Sequence, residues 1–276
     1  MIGPAELEKY NELGYLHIPG VFTDAEMDAM DADLAVLLTA WAQTDMGWNG
    51  PWRKAYMDSE TEKQSKLTHL HDLHLYSAAW CRAVTSRKLG AALGILLNAS
   101  VELHHTTLHI KPPSTGHPFP MHQDYPFYPH TDERYIDVLV HLDDTCHENG
   151  EIRFLPGSHK AGYLPHITET EAGECSPHLP THTYRLEDTI AVPAKRGDVV
   201  CFNILTVHGS YINSTDQPRR LVRCGYRDPD NVQTSGQSCG RPGLMVHGTR
   251  PRGNAPGPFS TEIIPPPAAV SDVEQE

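Results

Sequence analysis

Apolar residues recur at two different periods along this chain, and the change falls near residue 100. Between 23 and 41, Met27, Met30, Leu34, Leu37, Leu38 and Trp41 return at helical spacing. Thr23 precedes them with Glu26 three residues on, the signature of a capped helix whose apolar stripe faces a core. A shorter helix is expected over 4–12, opened by Pro4 and stopped by Gly14, with a short strand at 15–18 behind it. Residues 77–98 read as one further helix, and the histidine-rich stretch before it, LTHLHDLHLY at 67–76, as a polar loop or helix start. The loop at 43–59 is rich in Trp, Gly and Pro. Trp48, Trp52 and Arg53 are expected there as buried anchors, with a place at a substrate entrance as the alternative.

After Asn98 the period falls to two. In ELHHTTLHIK, alternation puts Leu103, His105, Thr107, His109 and Lys111 on one face and His104, Thr106, Leu108 and Ile110 on the other. A strand with one polar face suits a barrel interior that holds a polar ligand, and a solvent-facing edge strand equally well. Further short strands are expected at 134–142, 151–155, 189–192, 198–205 and 220–227, with turn chemistry at Asn149-Gly150, Pro156-Gly157, the 195–198 segment and 216–218. Many short strands separated by turns predict an all-β core with flanking helices, a sandwich or jelly roll. One domain is expected over 1–247, with a mainly helical layer at 1–100 and the β core at 101–227. The Pro-rich, acidic-ended segment 248–276 is expected to be a disordered tail.

The chain has 276 residues and a formal net charge of −13. That charge disfavours nucleic acid or an anionic membrane surface as a partner and leaves a small molecule as the expected one. No apolar run long enough for a membrane span and no signal-peptide pattern is seen. Six scattered cysteines without a Cys-x-x-Cys pair read as reduced thiols, hence a cytoplasmic protein.

Within HPFPMHQDYPFYPH at 117–130, an extended backbone around Gln123 would place His122 and Asp124 on one face. A distant histidine, His208 in VHGSY, would complete a two-histidine, one-carboxylate metal site with open positions. The pattern is weak alone. With 18 His and 35 acidic residues, about two His-x-acid matches are expected by chance. His130/Asp132 and His141/Asp143 have the same form, but turn formation explains the first better and turn capping accounts for Asp143. In the 67–76 stretch, Asp72 stands two places before His74, where a metallo-β-lactamase-like motif needs one. On these grounds alone, a non-catalytic barrel that binds a small ligand and a cupin-type metal-dependent isomerase or hydrolase stay open.

Three ordered blocks narrow this: HPFPMHQDYPFYP, then VLVHLDDTCHENGEIRFLPGSHKAG, then HGSYINSTDQPRR. Together, over about 107–226, they resemble the phytanoyl-CoA dioxygenase family of iron(II)/2-oxoglutarate oxygenases. The resemblance implies a double-stranded β-helix, the cupin-like jelly roll, with His122, Asp124 and His208 as iron ligands. It further implies Arg219, eleven residues after the distal histidine, as the clamp on 2-oxoglutarate, with Lys111 and Ser210 beside the cosubstrate. Strand alternation says only that one of Arg219 and Arg220 faces inward; the family spacing selects Arg219. The implied reaction uses O2 and 2-oxoglutarate, releases succinate and CO2, and hydroxylates a small organic substrate. Family members that halogenate carry a small residue at the carboxylate position; Asp124 at that position implies hydroxylation.

Overall fold

Local signals produce the N-terminal helices. Pro4 sits in the first turn of α1 (Pro4–Leu13), which ends where Gly14 turns left-handed (φ 83°) and donates its N–H to the Tyr10 carbonyl. Strand β1 (Tyr15–Ile18) follows. Helix α2 (Asp24–Trp41) begins in a capping box: the Glu26 carboxylate accepts from the Thr23 N–H at 2.8 Å, and the Glu26 N–H donates back to Thr23 Oγ1 at 3.3 Å. Met27, Met30, Leu34 and Leu37 are buried as the periodicity predicts, whereas Trp41 is 52% exposed and lies edge-on to Tyr76. The described residues are 2–241 and 243–250 of this computed structural model. Of the segment expected as a tail, 251–276 lies outside them, while Arg250 is ion-paired with the buried Glu102.

Two expectations between 43 and 98 are corrected. Leu67–His71 is a strand, β3, not a loop; it pairs with the short β2 (Gln43–Asp45) on one side and with β4 (Val101–Lys111) on the other. The single helix expected over 77–98 is two, α6 (Ala78–Val84) and α7 (Arg87–Leu97), because Ser86 breaks the run and caps α7 by accepting the Leu89 N–H. Short helices α3 (Arg53–Tyr56), α4 (Ser59–Gln64) and α5 (Leu73–Tyr76) complete this layer.

The remaining strands are β5 (Phe119–His122), β6 (Tyr135–His141), β7 (Arg153–Phe154), β8 (Ile167–Thr170), β9 (Gly173–His178), β10 (Ile190–Ala191), β11 (Val199–Asn203), β12 (His208–Ser210), β13 (Arg219–Arg227) and β14 (Leu244–His247). They form a large antiparallel sheet in the order β1-β11-β6-β13-β4-β3-β2, with β14 also on β4, and a small one in the order β10-β7-β12-β5. The two sheets facing each other make the jelly roll, and β8 and β9 form a separate hairpin.

Period-two alternation sorts the large sheet. Ile136, Val138 and Val140 of β6 and Val222, Cys224 and Tyr226 of β13 join the helices in one apolar core. Leu139, Leu221, Val200 and Phe202 point the other way, with Phe154 of the small sheet, into the interior of the roll. β4 is a central strand, not an edge, so its polar face of Thr107, His109 and Lys111 is interior.

Candidate metal centre and cosubstrate pocket

The small sheet brings two histidines together. In the β5–β12 ladder His208 is the direct partner of His122, and their ring centroids are 4.1 Å apart. β5 is the edge of its sheet, which tolerates the missing N–H of Pro120. His122 Nδ1 donates to the Pro120 carbonyl at 2.7 Å and His208 Nδ1 to the Thr206 carbonyl at 2.9 Å. Each bond fixes a tautomer whose Nε2 lone pair is free. Burial and the nearby His122 push the His208 imidazole down to about 3, so it stays neutral.

Asp124 arrives differently from the expectation. Strand β5 ends at His122, and Asp124 has helical backbone angles (φ −77°, ψ −19°) at the head of a 3₁₀ turn, Tyr125–Phe127. The carboxylate therefore reaches the histidines because the chain turns, not because both residues share a strand face. Gln123, fully buried, fixes that turn: its side chain donates to the Leu205 and Gly162 carbonyls at 2.7 and 2.9 Å and accepts from the Leu164 N–H at 2.9 Å. Asp124 Oδ1 lies 3.4 Å from His122 Nε2 and 3.9 Å from His208 Nε2. One donor atom from each of the three residues lies within 4.8 Å of the others. Two imidazole nitrogens and one carboxylate, all buried and convergent, suit a divalent transition metal such as iron(II).

Arg223, which the motifs do not flag, sits behind this cluster, with Nη1 2.9 Å from Asp124 Oδ2. Burial alone would raise the Asp124 carboxyl, but Arg223 and the two imidazoles hold it well below the usual carboxylate range. Arg223 also packs over the Tyr128 ring, and Tyr128 donates to Asp137 at 2.9 Å. Burial and the Asp124 charge push the Asp137 carboxyl well up, so it keeps its proton. The signal for Arg223 is parity: it lies four places after Arg219 on the same face of β13.

A cavity of about 220 Å³ opens beside the cluster, lined among others by Trp48, His71, His109, Ser210, Arg219 and Arg223. Arg219 lines it, and Lys111, its cross-strand partner on β4, lies behind that wall and not on the cavity surface. Lys111, fully buried, donates to Ser210 Oγ at 2.7 Å and to the Tyr211 carbonyl. Burial and the neighbouring Arg219 push its ammonium well below the ordinary range. Arg219 is 2% exposed, and its Nη2 donates to the Gly150 carbonyl at 3.2 Å, while Nε and Nη1 have no partner. Unpaired guanidinium donors buried in a cavity wall fit a carboxylate, which they can take with two parallel bonds. Arg220 faces the other way, ion-paired to Asp143 at 2.6 Å and Asp31 at 3.0 Å.

The other candidates lie elsewhere. His130 Nδ1 donates to the Tyr128 carbonyl, and Asp132 holds Arg134 at 2.7 Å. His141 is buried with neither ring nitrogen bonded, and Asp143 serves Arg220. His69 and His71 line the cavity from β3, whereas Asp72 pairs with Arg241, and His74 is within hydrogen-bond distance (3.1 Å) of Thr106. Trp52 and Arg53 are buried anchors, but Trp48 is a cavity wall, edge-on to the His122 ring at 4.7 Å.

Residues 10–221 match the sequence profile of the family described as Phytanoyl-CoA dioxygenase (PhyH). A Stutzerimonas stutzeri protein named "Probable alpha-ketoglutarate-dependent hypophosphite dioxygenase" is 30% identical over 256 residues, covering 87% of this chain and 84% of the relative. An ectoine dioxygenase of Bordetella parapertussis is 25% identical over 251 residues, 82% of this chain and 76% of its own. Among solved structures, the non-heme alpha-ketoglutarate-dependent carbocyclase SnoK from nogalamycin biosynthesis superposes with a TM-score of 0.65 at 22% identity, covering 90% of this chain and 94% of its own.

Proposed function

This chain belongs to the phytanoyl-CoA dioxygenase family, and we propose that His122, Asp124 and His208 hold its iron(II) while Arg219, Lys111 and Ser210 hold its 2-oxoglutarate. It is an iron(II)- and 2-oxoglutarate-dependent dioxygenase acting on a small molecule. When bound, the metal, cosubstrate and O2 together supply the oxidising power: 2-oxoglutarate is converted to succinate and CO2, and one oxygen atom enters a substrate C–H bond.

The protein's own contribution is binding, orientation and dryness. The two Nδ1–H bonds to backbone carbonyls aim the Nε2 lone pairs of His122 and His208. Arg223 pins one Asp124 oxygen, leaving the other to face the histidines. At the far end Arg219 offers two free donors to the distal carboxylate of 2-oxoglutarate, with the Ser210 hydroxyl beside them. Trp48 packs against Phe119, His122 and Phe127 and makes an aromatic wall that keeps bulk water from the metal. Asp124 in the donor set would leave no ligand position for a halide, which argues against halogenation, and hydroxylation is the outcome we propose.

The observation that carries this assignment is a His-Asp-His cluster sharing one cavity with a buried arginine that has no partner for two of its nitrogens. Free cysteines at all six positions support a reducing compartment, the cytoplasm. Among the described residues no helix is long and apolar enough to cross a membrane. The test is iron(II) binding by anaerobic titration, followed by succinate release across a panel of small metabolites. His122→Ala and His208→Ala should each abolish both; retained iron affinity in either variant would remove that residue from the ligand set.

A further inference from the structure

Strand β5 carries His122, yet it is four residues long and forms the edge of its sheet, with β12 as its ladder partner. Its outer edge is completed from other parts of the chain: Tyr56 Oη accepts the Met121 N–H at 3.2 Å, and the Leu179 N–H donates to the Met121 carbonyl at 2.8 Å. Trp48 adds a ring packed against Phe119, His122 and Phe127. The main chain of Trp48 is itself gripped on both sides by two buried residues that take no part in the iron or cosubstrate chemistry. Its N–H donates to His117 Nε2 at 3.1 Å, and its carbonyl accepts from Arg53 Nη1 at 3.0 Å. We propose that His117 and Arg53 are positioning residues of the dioxygenase, acting through Trp48 to hold the His122 ring in its metal-binding orientation. The inference goes beyond the dioxygenase reading and rests on it.

Burying these two side chains is costly, and what offsets the cost is the loop that carries Trp48. His117 is fully buried and Arg53 is 4% exposed. Arg53 donates to the carbonyls of Met46, Trp48 and Glu62 at 3.0, 3.0 and 2.9 Å, with the Glu62 carboxylate 3.6 Å from its Nε. The Trp48 N–H can only donate, so His117 Nε2 accepts and the ring proton sits on Nδ1, where Ser65 Oγ lies at 3.4 Å. Burial and the Arg53 charge keep the imidazole neutral, as an acceptor has to be.

The loop is shaped to receive this grip. Gly47 turns left-handed (φ 70°), and a Cβ there would come within 2.8 Å of the His117 ring, so the backbone lies directly on the imidazole. Trp48 lines the cavity, while His117 and Arg53 lie behind it. Whatever they do at the metal therefore passes through the residue they hold. Holding the indole matters because the bond from His122 Nδ1 to the Pro120 carbonyl fixes the tautomer but not the tilt of the ring. The tilt is set by what packs against the imidazole, and Trp48 does so edge-on at 4.7 Å.

The test follows iron(II) release to excess bipyridine under anaerobic conditions, with melting of the metal-free protein measured beside it. His117→Phe keeps a ring but loses the acceptor, and it should speed release at least about fivefold, the cost of one buried N–H left unpaired. Arg53→Met should act in the same direction. His117→Gln, whose side-chain carbonyl accepts, should restore release toward the wild-type rate. In a Trp48→Ala background, His117→Phe should change release by less than about twofold, because the route to the metal is gone. A full-sized effect in that background, release unchanged by both His117→Phe and Arg53→Met, or His117→Gln as fast as His117→Phe would each overturn the proposal. A merely structural role would lower the melting temperature of the metal-free protein and leave release unaltered. Should Arg53→Met fail to fold, the His117 series decides alone. If the wild type binds no iron(II), the dioxygenase reading fails; if it binds iron(II) and release ignores these variants, the positioning role alone fails.

Discussion

Replacing Arg219 with alanine isolates the cosubstrate half of the site. The guanidinium is 2% exposed, and burial lowers it to about 10, which still leaves it charged at neutral pH. It donates once, to the Gly150 carbonyl, and keeps Nε and Nη1 for a ligand. With alanine there, the distal carboxylate of 2-oxoglutarate would be buried beside Ser210 and a lysine already donating to Ser210 and Tyr211. Leaving a buried charge without its partner costs about 3–5 kcal/mol, which is roughly two to three and a half orders of magnitude in affinity. Arg220→Ala is the matched control. Its guanidinium is a quarter exposed and spent on Asp143 and Asp31, so it should change 2-oxoglutarate affinity by less than about threefold and stability by no more than about 1 kcal/mol per pair. The assay is anaerobic titration of the iron(II)–2-oxoglutarate charge-transfer absorption in both variants. Equal losses, or a larger loss at Arg220, would refute the assignment of the inward-facing arginine.

Asp124→Ala should lose most iron affinity and turnover, and it should also lower thermal stability, because Arg223 is left as a buried cation without its carboxylate; metal content after dialysis and a melting curve report the two effects separately. Gly150→Ala should lower the melting temperature and weaken 2-oxoglutarate binding together. Gly150 has φ 76°, and an added Cβ would run into the Tyr211 carbonyl oxygen and come within 2.8 Å of Lys111 Nζ, so strain of about 1–3 kcal/mol falls behind the cosubstrate wall. Gln123→Ala should leave the fold intact but release iron faster to a chelator, since the turn that presents Asp124 loses three side-chain hydrogen bonds; an unchanged release rate would show that the turn holds without them.

What the sequence determined by itself are the features set by near neighbours in the chain. Thr23 and Glu26 cap α2 through atoms three residues apart, Gly14 ends α1 in a left-handed conformation that costs glycine nothing, and alternation along β4, β6 and β13 sorts their side chains onto two faces. The three ordered blocks added the jelly roll and the iron and 2-oxoglutarate chemistry, because those blocks are short and contiguous. Tertiary structure decided whatever depends on a distant partner. Residues 67–71 became strand β3 because β4, more than thirty residues away, supplies their hydrogen bonds. Trp41 fits its helical stripe yet lies against Tyr76 at the surface, since the core ends before the last turn of α2. Asp124 reaches the histidines through a turn held by carbonyls of Gly162 and Leu205, which local spacing cannot foresee. Arg219 and Arg220 are equivalent to any local rule; Asp31 and Asp143, on other elements, draw one outward and leave the other in the cavity. Arg223 and the cavity-lining His71 and His109 emerge only when β3, β4 and β13 lie in register, because a strand's alternation fixes which residues share a face but not what that face meets.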